Sequence, residues 1–127
     1  MNEIKPIRVL IADDSASMRK VIRTFVEDIS NVEICAVARD GAEALESART
    51  LKPDVLILDV AMPRLNGVEV ASLIKKSLPR AKVILFTMYE DSVGKTLAKS
   101  AGVDVILAKT RGISALTEKI NAVIEEG

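Results

Sequence analysis

Apolar residues gather along the chain in five short runs: Ile7–Ala12, Ile34–Ala38, Val55–Leu58, Val83–Phe86 and Val105–Ala108. Most are continuous β-branched or aliphatic runs rather than clean alternations, the pattern of strands covered on both faces in a parallel sheet. Between the runs the apolar period changes to three- and four-residue steps, the mark of helices with one buried stripe. The first stripe holds Met18, Val21, Ile22, Phe25, Val26 and Ile29, behind Asp14 and Ser15. The second, Ala44, Leu45, Ala48 and Leu51, opens at Asp40-Gly41 and stops at Pro53. The third, Val70, Ala71, Ile74 and Leu78, opens at Asn66-Gly67 and closes at Pro79. A fourth and weaker helix is expected over Glu90–Ser100, with Val93, Leu97 and Ala101 as a thin stripe and Gly94 interrupting it. A fifth is expected over Ile113–Glu126, with Ile113, Leu116, Ile120, Val123 and Ile124 inside. Strand and helix in fivefold alternation predict a single doubly wound (βα)5 domain of the α/β class, a five-stranded parallel sheet with helices on both faces.

In such a sheet, ligands bind outside the carboxyl ends of the strands, near the point where strand order reverses. The first run ends in Asp13-Asp14, the third in Asp59, the fourth in Thr87 and the fifth in Lys109. The second ends in Arg39-Asp40, which reads as an ordinary helix entrance. Four of the five strands thus carry a reactive polar group to one edge.

Composition narrows the chemistry of that edge. The 127 residues suffice for one domain, 49% are apolar, and lysine plus arginine (18) balance aspartate plus glutamate (18). Histidine is absent and Cys35 is the only cysteine, which excludes an imidazole base, a His-ligated zinc, a thiolate cluster and an internal disulfide. Cys35, inside the second strand, reads as a buried small hydrophobe. The charge balance gives no reason to expect nucleic-acid or membrane binding, and no apolar stretch is long enough to span a bilayer. A cytoplasmic domain is the expectation, the lone cysteine agreeing with a reducing compartment.

Two carboxylates about 5 Å apart repel by roughly 3 kcal/mol at an effective dielectric near 20, and three close ones by about three times that. One lysine cannot balance three acids, but a divalent cation can. Without histidine or cysteine the natural choice is Mg2+, held by carboxylates, a carbonyl and water. A carboxylate beside such an ion, facing a hydroxyl and an ammonium, is arranged to accept a phosphoryl group. Asp59 would be the nucleophile, with Thr87 and Lys109 on the transferring oxygens.

The segments Val9-Leu10-Ile11-Ala12-Asp13-Asp14-Ser15, Leu56-Ile57-Leu58-Asp59-Val60-Ala61-Met62-Pro63-Arg64-Leu65-Asn66-Gly67, Phe86-Thr87 and Ala108-Lys109 closely resemble the receiver domain of two-component response regulators. The resemblance covers nearly the whole chain and implies a flavodoxin-like fold. It implies Asp59 as phosphoacceptor, supplied by a partner sensor histidine kinase or a small acyl phosphate. Asp14 and Asp59 would bind Mg2+ directly, with the Ala61 backbone carbonyl as third protein ligand and Asp13 acting mainly through water. It also implies switching through Thr87, which repacks the surface of helix four, strand five and helix five, toward a downstream effector or output domain. Lys95 and Lys99 on helix four could pair with Asp104 or Glu118 across a homodimer formed through that surface. Residues 1–127 read as one receiver, with no output domain.

Two positions depart from the family pattern. Thr110 follows Lys109 where a proline, often cis, is usual; a non-proline cis bond costs about 2.5–4 kcal/mol, which favours trans here. Ile106 stands where an aromatic usually swings with the threonine, which alters the switch. Tyr89, two residues after Thr87, and the small Ala61 are expected to shape water access to the acyl phosphate. Two other readings compete. An aspartate-nucleophile phosphohydrolase would need an acid at Ala61 and an acid pair after the nucleophile rather than before it. A phosphorylation-independent interaction module would have no use for the complete set Asp13, Asp14, Asp59, Thr87 and Lys109.

Overall fold

A computed structural model describes residues 5–88 and 94–126. Five parallel strands, β1 (Ile7–Ala12), β2 (Val32–Ala38), β3 (Val55–Leu58), β4 (Lys82–Thr87) and β5 (Val105–Ala108), form one sheet in the order β2-β1-β3-β4-β5. The helices between and after them are α1 (Ala16–Glu27), α2 (Gly41–Leu51), α3 (Gly67–Ser77), α4 (Lys95–Ser100) and α5 (Ile113–Glu126). The order reverses between β1 and β3, so the crevice expected of a doubly wound sheet opens between the ends of these two strands.

Strand alternation sorts the core into two layers. Val9 and Ile11 of β1, Val55 and Ile57 of β3, Ile84 and Phe86 of β4, and Leu107 of β5 pack with Ile22, Val26, Leu116, Ile120 and Val123 of α1 and α5. Leu10, Leu56, Leu58, Val83 and Leu85 face the other way, against Ala44 and Ala48 of α2, Val70, Ala71 and Ile74 of α3, and Ala98 of α4. The central strands are buried on both faces, as their unbroken apolar runs imply.

Local chemistry sets the helix ends. Ser15 Oγ accepts the Met18 N–H at the start of α1, and Asp40 accepts the Glu43 N–H at the start of α2. Asn66 and Glu69 form a reciprocal capping box on α3. These caps place three helix entrances at the carboxyl edge of the sheet, where β1, β2 and β3 end.

The structure departs from the expected elements in four places. Strands β2 and β4 begin earlier, at Val32 and Lys82, because backbone pairing extends past the apolar stretch. On α1 the apolar stripe is wider than the buried face: Ile22 and Val26 are inside, whereas Val21 and Phe25 are exposed. Within α4 the buried residue is Ala98 while Leu97 is 65% exposed, and Gly94 stands at the helix start rather than in its middle. The expected start at Glu90, and Val93, lie outside the described residues. Cys35 is half-buried, not buried. The β1–β2 register runs Val9↔Ile34 and then Leu10↔Ala36, which makes Cys35 the extra residue of a bulge on an edge strand.

Among the described residues no helix is long and apolar enough to cross a membrane, and no peptide bond is cis, so Lys109–Thr110 is trans. Lys95 and Lys99 are exposed, as expected. Asp104 accepts within its own chain from Lys75 Nζ at 3.1 Å and from the Val83 N–H at 2.7 Å.

Candidate functional site

Hydrogen bonds of the sheet carry the acids to its edge. The Asp13 N–H donates to the Ala38 carbonyl at 3.2 Å, and the Asp59 N–H to the Ala12 carbonyl at 3.0 Å. Each aspartate is therefore pinned by its backbone to the neighbouring strand just where regular pairing ends. Asp13, Asp59 and Thr87 are buried, with Asp13 only 1% exposed, whereas Asp14 is exposed. Thr87 lies in register with Ala108, the residue before Lys109, so β4 and β5 end at the same edge of the sheet.

Lys109 Nζ donates to Asp13 Oδ2 at 2.6 Å and to Asp59 Oδ2 at 3.2 Å. The Lys109 side chain is 7% exposed, so these are ion pairs of low solvent screening. Without the usual proline, the chain after β5 takes a short 3-10 turn over Lys109–Arg111, and the lysine still reaches both acids. The outer oxygens are held locally: the Ser15 N–H donates to Asp13 Oδ1 at 2.9 Å, and the Ala61 N–H to Asp59 Oδ1 at 3.4 Å. Burial pushes the Asp13 carboxyl above its ordinary range, against the opposing pull of Lys109 and the Ser15 N–H. Burial also pushes the Lys109 ammonium downward, but the hydrogen bond and charge of Asp13, with those of Asp59, outweigh it and hold the amine above its usual value.

Asp13, Asp14 and Asp59 each present a carboxylate oxygen, all within 4.8 Å of one another. The donor set is purely oxygen, suited to a hard cation and to no soft one. Three acids are gathered around one buried amine that bonds two of them, so the cluster retains negative charge that an added cation would offset.

The loop after Asp59 is shaped by close approach. A Cβ on Gly67 would strike the Asp59 carbonyl oxygen, so only glycine lets α3 begin against the back of the acid. Gly67 has no positive φ, so what it supplies is space rather than an unusual backbone conformation. The left-handed residue of the loop is Arg64 (φ 74°), whose guanidinium lies 3.8 Å from Asp40.

Of the residues singled out in the sequence, Asp13, Asp14 and Asp59 come together, with Lys109 bonded to two of them. Thr87 stands at the same edge. Ala61 is exposed beside Asp59, and Ile106 is half-buried toward the α2–α4 layer, in register with Leu85. Tyr89 lies outside the described residues. Sequence reasoning missed Arg19, whose Nη1 donates to the Asp13 backbone carbonyl at 2.9 Å. The signal was present: a cation in the first turns of a helix, where the helix dipole disfavours it.

This geometry coincides with a known pattern. A family model for the response regulator receiver domain matches residues 9–121. The chain belongs to that family. A receiver domain of this family is a phosphorylation-dependent signalling switch, and its relatives include response regulators. The receiver is 38% identical over 113 residues to a protein-glutamate methylesterase/protein-glutamine glutaminase of Thermotoga maritima, covering 87% of this chain and 33% of that protein. It is 34% identical over 115 residues to the response regulator protein VraR of Staphylococcus saprophyticus, covering 91% of this chain and 55% of that protein. Among solved structures, the response regulator domain of Thermotoga maritima CheB superposes with a TM-score of 0.85 at 32% identity, covering 95% of this chain and 98% of that one. The chain thus spans about a third of the methylesterases it matches and about half of the response regulators.

Proposed function

We propose that Asp59 is the phosphoacceptor of this receiver and that Mg2+ is its cofactor, held by Asp14, Asp59 and the Ala61 carbonyl, with Asp13 acting through water. The observation that carries this reading is the buried Asp59 carboxylate with Lys109 Nζ at 3.2 Å and two further acids within reach of one cation. The donor is the phosphohistidine of a partner kinase or a small acyl phosphate. An Asp59 oxygen forms the new bond to phosphorus while the bond from phosphorus to the leaving group breaks, and the leaving group departs with the electron pair. A bound Mg2+ offsets charge on the transferring oxygens. Lys109 supplies a second positive charge, and the Thr87 hydroxyl would donate a hydrogen bond to the phosphoryl group.

The switch follows from what these side chains must give up. Lys109 leaves part of its bond to Asp13 for the phosphoryl oxygens, and Thr87 moves with it at the end of β4. Ile106 on the neighbouring strand repacks as an aliphatic rather than an aromatic, with Tyr89 and Ala61 setting water access. The altered surface of α4, β5 and α5 then meets a downstream effector, an output domain or a second copy of the chain. Relatives that carry this receiver include methylesterases and transcriptional regulators, which supports a module whose output is set by what it is joined to or binds.

The test is incubation with acetyl phosphate and Mg2+ followed by intact mass. A phosphoryl adduct in the parent, absent in Asp59→Asn, is the expected result. Rapid release over many turnovers would favour a hydrolase, and no adduct with any donor would favour an interaction module.

A further inference from the structure

Asp14 is the one acid of the cluster whose side chain no described residue holds. Asp13 and Asp59 are each bonded by Lys109 and by a backbone N–H, yet no hydrogen bond or ion pair engages the Asp14 carboxylate among the described residues. Its position is therefore inherited from the backbone, and above all from the peptide unit that joins it to Asp13. The carbonyl of that unit accepts from Arg19 Nη1 at 2.9 Å. Arg19 stands one turn into α1, its own N–H bonded to the Ser15 carbonyl at 2.9 Å, so the guanidinium is anchored to a rigid element.

Three observations argue against a merely solvating role for Arg19. Helix electrostatics disfavours a cation so near the N-terminus of α1. The guanidinium makes no ion pair with any carboxylate among the described residues, although the loop it bonds carries two acids, Asp13 and Asp14. The group it does bond is a main-chain oxygen at the root of the acidic loop.

We infer that Arg19 is a positioning residue for the cation site, clamping the Asp13–Asp14 peptide so that the Asp14 carboxylate is presented toward Asp59. The inference rests on the reading of this cluster as a Mg2+ site and goes beyond it by assigning a residue outside the acids.

The alternative has the opposite sign. A cation that acts only through space repels Mg2+, so its removal would tighten binding. A clamp that sets ligand geometry loosens it when lost, by about tenfold, the low end for an outer partner of a metal ligand. Calorimetric titration of the whole chain with MgCl2 therefore distinguishes the two. Arg19→Ala is expected to bind about tenfold more weakly, and Arg19→Lys, which keeps the charge and a donor, to recover most of the loss. The melting midpoint without metal should stay near the parent value. Equal or tighter binding by Arg19→Ala overturns the inference while leaving the Mg2+ reading intact, and absence of binding by the parent overturns both. A second measurement needs no metal: the Asp14 amide belongs to the clamped peptide unit, and its 15N order parameter should fall in Arg19→Ala. An unchanged order parameter overturns the clamp.

Discussion

The two ends of strands β1 and β3 handle charge in opposite ways. At the amino end, Asp54 accepts the Arg8 N–H at 2.9 Å, while the Arg8 guanidinium bonds the Leu51 carbonyl and lies 3.7 Å from Glu33. Each charge there has a partner of its own, and the Arg8 and Glu33 side chains are substantially exposed. At the carboxyl end two buried acids, Asp13 and Asp59, share one buried amine, with Asp14 exposed beside them. The same two strands thus close one edge with a solvated ion pair and a carboxylate held by a backbone N–H, and leave the other with two buried carboxylates on one amine. That second arrangement is what the proposed uptake of a cation and a phosphoryl group would draw on.

The largest expected effect comes from removing the single amine. Lys109→Met leaves Asp13 and Asp59 buried without their counter-charge and should cost about 3–5 kcal/mol in metal-free urea unfolding. Saturating Mg2+ should recover part of the loss. A cost no greater than that of an exposed pair would erase the contrast between the ends.

Next in size, and opposite in sign, is Asp13→Asn. Burial raises the Asp13 carboxyl above its ordinary value of 3.8, so the native state binds its proton more tightly than the unfolded chain does. The Asp13 contribution to stability therefore falls as pH rises from 3.8 through the raised value, and its ionised form is a burden at neutral pH. Asp13→Asn should raise the metal-free stability by about 1 kcal/mol at pH 7 while weakening Mg2+ binding, a trade of stability for function. Parallel melting curves in EDTA should show the gain shrinking toward acid pH; a gain that grows there would contradict the assigned shift.

The smallest effect belongs to the amino end. Arg8→Met should cost about 1 kcal/mol or less, partly restored in no variant by Mg2+, because an exposed pair is worth little and its neighbours have water. A Mg2+-dependent change on mutating Arg8 would show the two ends to be coupled.

Most of the architecture was legible in the sequence because it rests on apolar period and helix punctuation. The runs at β1, β3 and β5 have the predicted bounds, and Pro53 and Pro79 follow α2 and α3 as expected. The convergence of Asp13, Asp14 and Asp59 followed from topology alone, since strands that end at one edge must bring their following residues together. Features that depend on register or close approach escaped. The bulge at Cys35 is a property of how β2 pairs with β1, not of either strand. The need for Gly67 comes from the Asp59 carbonyl packed behind it, and α1 buries Ile22 and Val26 but not Phe25 because of where the sheet lies. Arg19 escaped because its partner is a main-chain oxygen, which sequence does not display.

The Lys109–Asp13 bond joins residues 96 positions apart in the chain. Synthesis from the amino terminus delivers Asp13, Asp14 and Asp59 well before the lysine that meets them, at a pace of about 5–20 residues per second. Strands β1 and β3 can pair while their acids are still uncompensated, and β5 must dock at the far margin of the sheet before the counter-charge arrives. The site is accordingly complete only after β5 has docked, with α5 still to follow, and a nascent chain that has not yet formed β5 holds the acids without their counter-charge.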